Sequence, residues 1–119
     1  MLLAIPAGSE DELRGFSVGV LGMSEVAEPP ALAARGGLWV RADRLELHLG
    51  VEAGFQPARK AHPGIRVRAL DAFAAHLAAH GVAVEWDESL FPGHRRCSAS
   101  DPVGNRLEFI ERDADVPTW

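Results

Sequence analysis

Asp101-Pro102-Val103-Gly104-Asn105-Arg106-Leu107-Glu108-Phe109-Ile110-Glu111 is the stretch from which the fold can be read. Asp101 opens a turn, Pro102 presets φ at its second position, and Gly104 is free to become left-handed. That is the pattern of a type I turn closed by a glycine bulge, which joins two antiparallel strands. In the strand that follows, Leu107 and Phe109 fall on one face and Arg106, Glu108 and Ile110 on the other, because side chains alternate with period two. The apolar face predicts a helix packed on it, and Glu108 is left on the opposite face. Leu45-Glu46-Leu47-His48-Leu49-Gly50 repeats the pattern, with leucines on one side and Glu46 and His48 on the other. Glu46 and Glu108 lie 62 positions apart, and Ser9 and Asp71, each opening a helical run, share that offset. Two copies of one unit are therefore expected.

Working outward, residues 1–5 predict a short strand ended by Pro6-Ala7-Gly8. Ser9, with Glu12 three positions on, predicts a capping box that starts a helix over 9–21, and acidic residues fill its first turn. Leu13, Phe16, Ser17, Val20 and Leu21 recur at helical spacing, and Gly22 supplies a left-handed cap. Residues 23–28 read as a strand stopped by Pro29-Pro30, 31–37 as a loop, and 38–42 with 45–50 as a hairpin about Asp43-Arg44. After a connector at 51–61 the order returns: a strand over 64–69, a helix capped by Asp71 and closed by Gly81, a strand over 82–86, a loop at 87–93, then paired strands over 94–100 and 105–111. The expected fold is α+β, a single domain (1–119) of two βαβββ modules: module one 1–50, connector 51–61, module two 62–112 and a tail at 113–119.

A chain of 119 residues is the size of one ordinary domain with a real core. Its 47% hydrophobic and 24% charged content is that of a globular protein in water. No apolar run approaches the ~20 residues of a membrane span. Acidic Glu10, Asp11 and Glu12 follow an N-terminus that lacks a basic stretch, so no signal peptide is expected. With one cysteine there is no internal disulfide, and a cytoplasmic location is the expectation. A net charge of −5 argues against nucleic acid or an anionic membrane as partner.

The two strand-helix-three-strand units, the Val20-Leu21-Gly22 end of the first helix, Ala61-His62-Pro63 before the second unit and the closing Asp-Pro-Val-Gly-Asn-Arg-Leu-Glu-Phe together resemble the glyoxalase, bleomycin-resistance and ring-cleaving dioxygenase superfamily, of vicinal oxygen chelate fold. The resemblance spans essentially the whole chain. It implies curled mixed sheets with helices on the convex side and a metal or ligand in a concave cleft. It also implies divalent-metal ligands on the first and last strand of each module, here His62, Glu46 and Glu108; the fourth is missing, because the offset falls one residue before Met1 and Leu2 and Ala4 cannot ligate, and His48 stands as a substitute. Glu46, His62 and Glu108 are expected to converge in one cleft and to hold a divalent ion weakly, because the first-strand ligand is missing; Zn, Ni, Mn and Fe all suit it, since mixed imidazole and carboxylate ligation discriminates poorly. Glu46 or Glu108 would then shuttle a proton.

Each of these residues has a plainer reading. Glu46 and Glu108 could be solvated carboxylates, and His48 a cleft or edge residue. His76 and His80 stand four apart on a helix without a third donor nearby, which suits a surface pair. Cys97 reads as a core thiol. Trp39, Arg66, His94 and Arg96 are candidate substrate contacts, yet an aromatic in a sheet is core more often than not, and two of the four cations Arg66, Arg68, Arg95 and Arg96 read as surface. The expected activity is that of a metal-dependent lyase, isomerase or dioxygenase acting on a small molecule with adjacent oxygens. The alternative is a metal-free protein that sequesters a drug or metabolite. A homodimer is expected from the resemblance and from Leu90 and Phe91 in an otherwise polar loop; light scattering at tens of micromolar should give twice the chain mass, and a stable monomer mass would count against it.

Overall fold

The computed structural model describes residues 1–87 and 95–111. The chain divides into two compact units, one formed by Met1–Pro57 with Pro102–Asn105 and the other by Ala58–Asp101 with the residues from Arg106 on. Each unit carries one four-stranded mixed sheet, so the architecture is α+β as expected, but the sheets are uncurled where curled ones were expected.

In the first unit β1 (Leu2–Ile5), β2 (Ser24–Val26), β3 (Leu38–Ala42) and β4 (Leu45–Val51) lie in the order β1-β4-β3-β2. β1 runs parallel to β4, while β3 is antiparallel to both β4 and β2. A parallel pair cannot be closed by a tight turn; α1 (Glu10–Arg14) and the helical turns after it lie on the crossover. Leu13 of α1 joins Ile5, Met23, Leu38, Val40, Leu47 and Leu49 in one buried cluster. The alternation then puts Trp39, Arg41, Glu46 and His48 on the face turned away from that helix. Asp43, with φ of 51°, turns the β3–β4 hairpin.

Three local expectations are corrected here. Ser9 is the N-cap of α1, but its hydroxyl donates to the Pro6 carbonyl at 2.7 Å and makes no bond to the helix. At ψ of 3° the residue is outside the extended conformation that aims a capping oxygen at the first amides, so no capping box forms with Glu12. The helix also does not run on as α to Leu21: residues Gly15–Val20 are π-helical, with the Leu21 amide donating back to Phe16 at 2.9 Å. Gly22 does take the left-handed conformation, φ 75°. The segment read as a loop after Pro29 contains a short α2 (Pro30–Ala33), with Pro30 at the position where a missing amide hydrogen costs nothing.

In the second unit β5 (Gly64–Val67), β6 (Glu85–Trp86), β7 (Arg96–Ser100) and β8 (Arg106–Glu111) repeat the order, β5-β8-β7-β6, with β5 parallel to β8. α3 (Leu70–Ala79) makes the crossover and buries Leu70, Ala74 and Leu77. Its Phe73 ring meets Phe109 of β8 at 4.7 Å between centroids. Glu108, one residue away on a strand of period two, therefore faces away from α3. Cys97 lies on the helix side and is 1% exposed, and burial pushes its thiol up, as for a core residue. Asp71 does not cap α3. The N-cap is Ala69, left-handed at φ 49°, and Asp71 inside the first turn takes two hydrogen bonds from Arg95 at 2.7 and 2.8 Å. The Arg95 guanidinium holds that carboxyl below its usual value.

The stretch that opened the sequence reading joins two antiparallel strands as expected, with Ser100 of β7 opposite Arg106 of β8. Gly104 sits at φ 94°, and a side chain there would come within 3.0 Å of Pro57. Asn105 is buried and its amide donates to the Ala4 carbonyl at 2.8 Å. Among the described residues no helix is long and apolar enough to cross a membrane.

Candidate functional site

The second unit places its site residues where β5 and β8 pair. The Glu108 amide donates to the Pro63 carbonyl at 3.0 Å, which puts the residue before Pro63, His62, beside the Glu108 side chain. His62 Nε2 lies 2.7 Å from Glu108 Oε2, and its Nδ1 lies 2.7 Å from the Lys60 carbonyl oxygen. Across β7, Arg96 Nη1 donates to Glu108 Oε1 at 3.0 Å and Nη2 to Asp87 at 3.1 Å. The Glu108 and Arg96 side chains are 12% and 16% exposed, so these charges are held largely out of water. Ser98, directly opposite Glu108 on β7, is buried as well.

The histidine decides what this arrangement can hold. A carbonyl only accepts, so Nδ1 carries the hydrogen in the Lys60 contact, and Nε2 of a neutral ring then turns a bare lone pair toward a carboxylate that also only accepts. The 2.7 Å contact needs a proton or a cation between the two atoms.

In the first unit His48 Nε2 lies 2.8 Å from Glu46 Oε2, and the His48 ring stacks on Trp39 with centroids 3.6 Å apart and planes 3° from parallel.

The sequence matches no protein-family model and no curated protein, and its likeness lies with solved structures. A glyoxalase family protein from Bacillus anthracis is 40% identical, with 94% of this chain and 91% of that one covered and a TM-score of 0.90. The chain belongs to the glyoxalase family. An antibiotic-binding protein from a Streptomyces species is 25% identical over 94% of this chain and 93% of that one, TM-score 0.70. A lactoylglutathione lyase from Agrobacterium tumefaciens, 21% identical over 93% of this chain and 91% of that one with a TM-score of 0.65, shares the fold.

Strand register corrects one pairing drawn from the glyoxalase-like repeat. Leu2 stands opposite His48 and Gly64 opposite Glu108, and the His48 amide bonds the Met1 carbonyl as the Glu108 amide bonds that of Pro63. The counterpart of Glu108 is therefore His48, not Glu46. The offset is 62 on the first strand but 60 at the helix caps Ser9 and Ala69 and on the last strand, because the first unit carries two more residues between strand and helix.

His62, Glu108 and Arg96 are thus brought together in one unit, and Glu46, His48 and Trp39 in the other. Arg66 is exposed on the Glu108 face, opposite Ile110. His94, Leu90 and Phe91 lie outside the described residues. Among the described residues no three His, Cys, Asp or Glu side chains are grouped as metal ligands. The donor chemistry of His62 and Glu108 nevertheless fits a divalent cation. Two ligands at ~2.0–2.2 Å and a right angle stand roughly 3 Å apart, close to the separation seen, and an imidazole whose other nitrogen is tied to a carbonyl is the usual outer arrangement of a metal-bound histidine. Missed from the sequence were Asp87, Ser98 and the Lys60 carbonyl. Alternation alone would have put Ser98 on the Glu108 face, but nothing local marked the other two.

Proposed function

We propose that this glyoxalase family protein acts on a small molecule bearing two adjacent oxygens, at the sheet face that carries His62, Glu108 and Arg96, as a metal-dependent lyase, isomerase or dioxygenase. His62 and Glu108 would hold a divalent ion, Zn, Ni, Mn or Fe, weakly. The observation that supports this is the 2.7 Å contact between two atoms that, with the imidazole neutral, both lack a hydrogen. When bound, such an ion polarises substrate oxygens. The chain's own residues do the rest. Lys60 fixes the His62 ring through its carbonyl. Arg96 takes one oxygen of Glu108, leaving the other directed at His62 and placed to accept a proton.

A second reading is favoured by the same network. Asp87, Arg96, Glu108 and a protonated His62 alternate in charge and sum to zero, so they suffice without a metal. A metal-free protein binding a drug or metabolite would look like this, and one structural relative binds an antibiotic.

Calorimetric titration of Zn, Ni and Mn into untagged protein separates the two. One site is expected in wild type, weakened about tenfold or more by either His62→Ala or Glu108→Gln. Equal uptake by all three proteins, or none by wild type, would leave the metal-free reading.

A further inference from the structure

We infer that Gly64 is a specificity-determining position, where the absence of a side chain leaves room for the carbon body of a flat, ring-sized ligand whose two adjacent oxygens reach the His62–Glu108 contact. The inference rests on the reading above in taking that contact as the working site.

A glycine in a β-ladder costs backbone entropy and gives up a packing side chain, so its presence calls for a reason. Three reasons lie within the fold, and none holds at Gly64, the first residue of β5. Gly64 is not left-handed; the glycines of positive φ are others, Gly104 among them. The ladder runs without a bulge, with Gly64 opposite Glu108, Ile65 opposite Phe109 and Arg66 opposite Ile110. No backbone crowds it: among the described residues a Cβ there would come within 4 Å only of Ile110 Cδ1, at 3.4 Å, an ordinary contact with the end of a flexible side chain. The remaining reason is a molecule that approaches the backbone closely. The surroundings suit one. Gly64, Glu108 and Ser98 form one rung across β5, β8 and β7, so Glu108 has a small residue on either side. Ser98 is buried and Arg96 takes one oxygen of Glu108 from the β7 side, whereas Gly64 is exposed, so the open flank of the carboxylate is over β5. His62 bounds that opening at one end and Arg66, exposed on the same face, at the other. The four residues between them span roughly 13 Å of strand, enough for a single aromatic ring.

The test uses the full chain with zinc and two probes that present the same pair of adjacent oxygens, acetohydroxamate with a methyl body and benzohydroxamate with a ring. Zinc-loaded wild type should bind both. Gly64→Val should take up zinc as wild type does and hold acetohydroxamate nearly as well, but bind benzohydroxamate about tenfold or more weakly, the scale on which a pocket discriminates by size. Because nothing in the fold requires glycine, Gly64→Ala should unfold at no lower a urea concentration than wild type. Unfolding of Gly64→Ala at clearly lower urea would overturn the inference, since the fold would then need the glycine. So would benzohydroxamate binding that is absent from zinc-loaded wild type or equal in wild type and Gly64→Val, and so would loss of zinc, or of both probes alike, in Gly64→Val. If wild type takes up no zinc, the metal reading fails by itself, and benzohydroxamate is added to the metal-free protein labelled with nitrogen-15. A shift of the Ile65 amide in wild type and not in Gly64→Val then keeps the inference, and a shift absent from wild type or equal in both overturns it.

Discussion

Phe109→Ala is expected to destabilise the protein by about 3–5 kcal/mol, a large part of the ~5–15 kcal/mol that holds a domain of this size. Phe109 is 1% exposed, stands opposite Cys97 on β7 and meets Phe73 of α3. Truncation removes the side chain that seats the helix on the sheet and leaves a cavity that the flanking strand backbone cannot fill by shifting. Because Glu108 and Phe109 are neighbours on β8, the loss should reach the site through strand position and not through any contact with a ligand. Urea unfolding reads the effect, and Phe109→Leu should recover more than half of it. A loss under about 1 kcal/mol in Phe109→Ala would mean that the helix is seated by something else.

Arg96→Met is expected to act in two opposite directions. Arg96 is 16% exposed and bridges Glu108 and Asp87, so its removal strips both carboxylates of a charged donor. Hydrogen bonds to charged groups are worth about 1.5–3 kcal/mol each, and with His62 still on Glu108 a net loss of about 2–3 kcal/mol follows. The same change deletes a positive charge beside the proposed cation site, and the relief of repulsion should tighten nickel or zinc binding by the order of tenfold. Stability falls while cation affinity rises. Denaturant unfolding and calorimetry on one preparation measure both. If cation affinity falls with stability, Arg96 supports the site instead of competing with it; if no cation binds either protein, the metal-free reading gains.

The faces of both sheets were legible in the sequence because burial enforces period two. Leu47 and Leu49, and Leu107 and Phe109, are buried as the alternation requires, with Glu46, His48 and Glu108 opposite. The turn was legible because only a residue like Gly104 tolerates φ of 94°. Which residue of the first sheet corresponds to Glu108 was not. A shift of two positions keeps every side chain on its own face, so Glu46 and His48 satisfy the pattern equally, and only the pairing of Leu2 with His48 separates them. The extra residues ahead of α1 are invisible to periodicity for the same reason. Asp87 and the Lys60 carbonyl escaped because their contacts depend on cross-strand register and loop path. Ser9 and Asp71 misled by composition: both are residue types that cap helices, yet one found Pro6 and the other Arg95 as a better partner.

The bond from Asn105 to Ala4 spans 101 residues. Pro102–Asn105 are part of the first unit, so that unit is interrupted in sequence and its last piece is made only after residues 58–101 of the second. On the ribosome, the first unit waits for a turn encoded after residues 58–101 before its own contacts are complete. A gene cut between the halves would therefore deprive the first of four of its residues and give the second a hairpin tip with nothing to dock against. The repeat suggests an origin in duplication, but this exchanged turn makes the halves interdependent in folding order as well as in structure, with the long loop closure that non-local contacts impose.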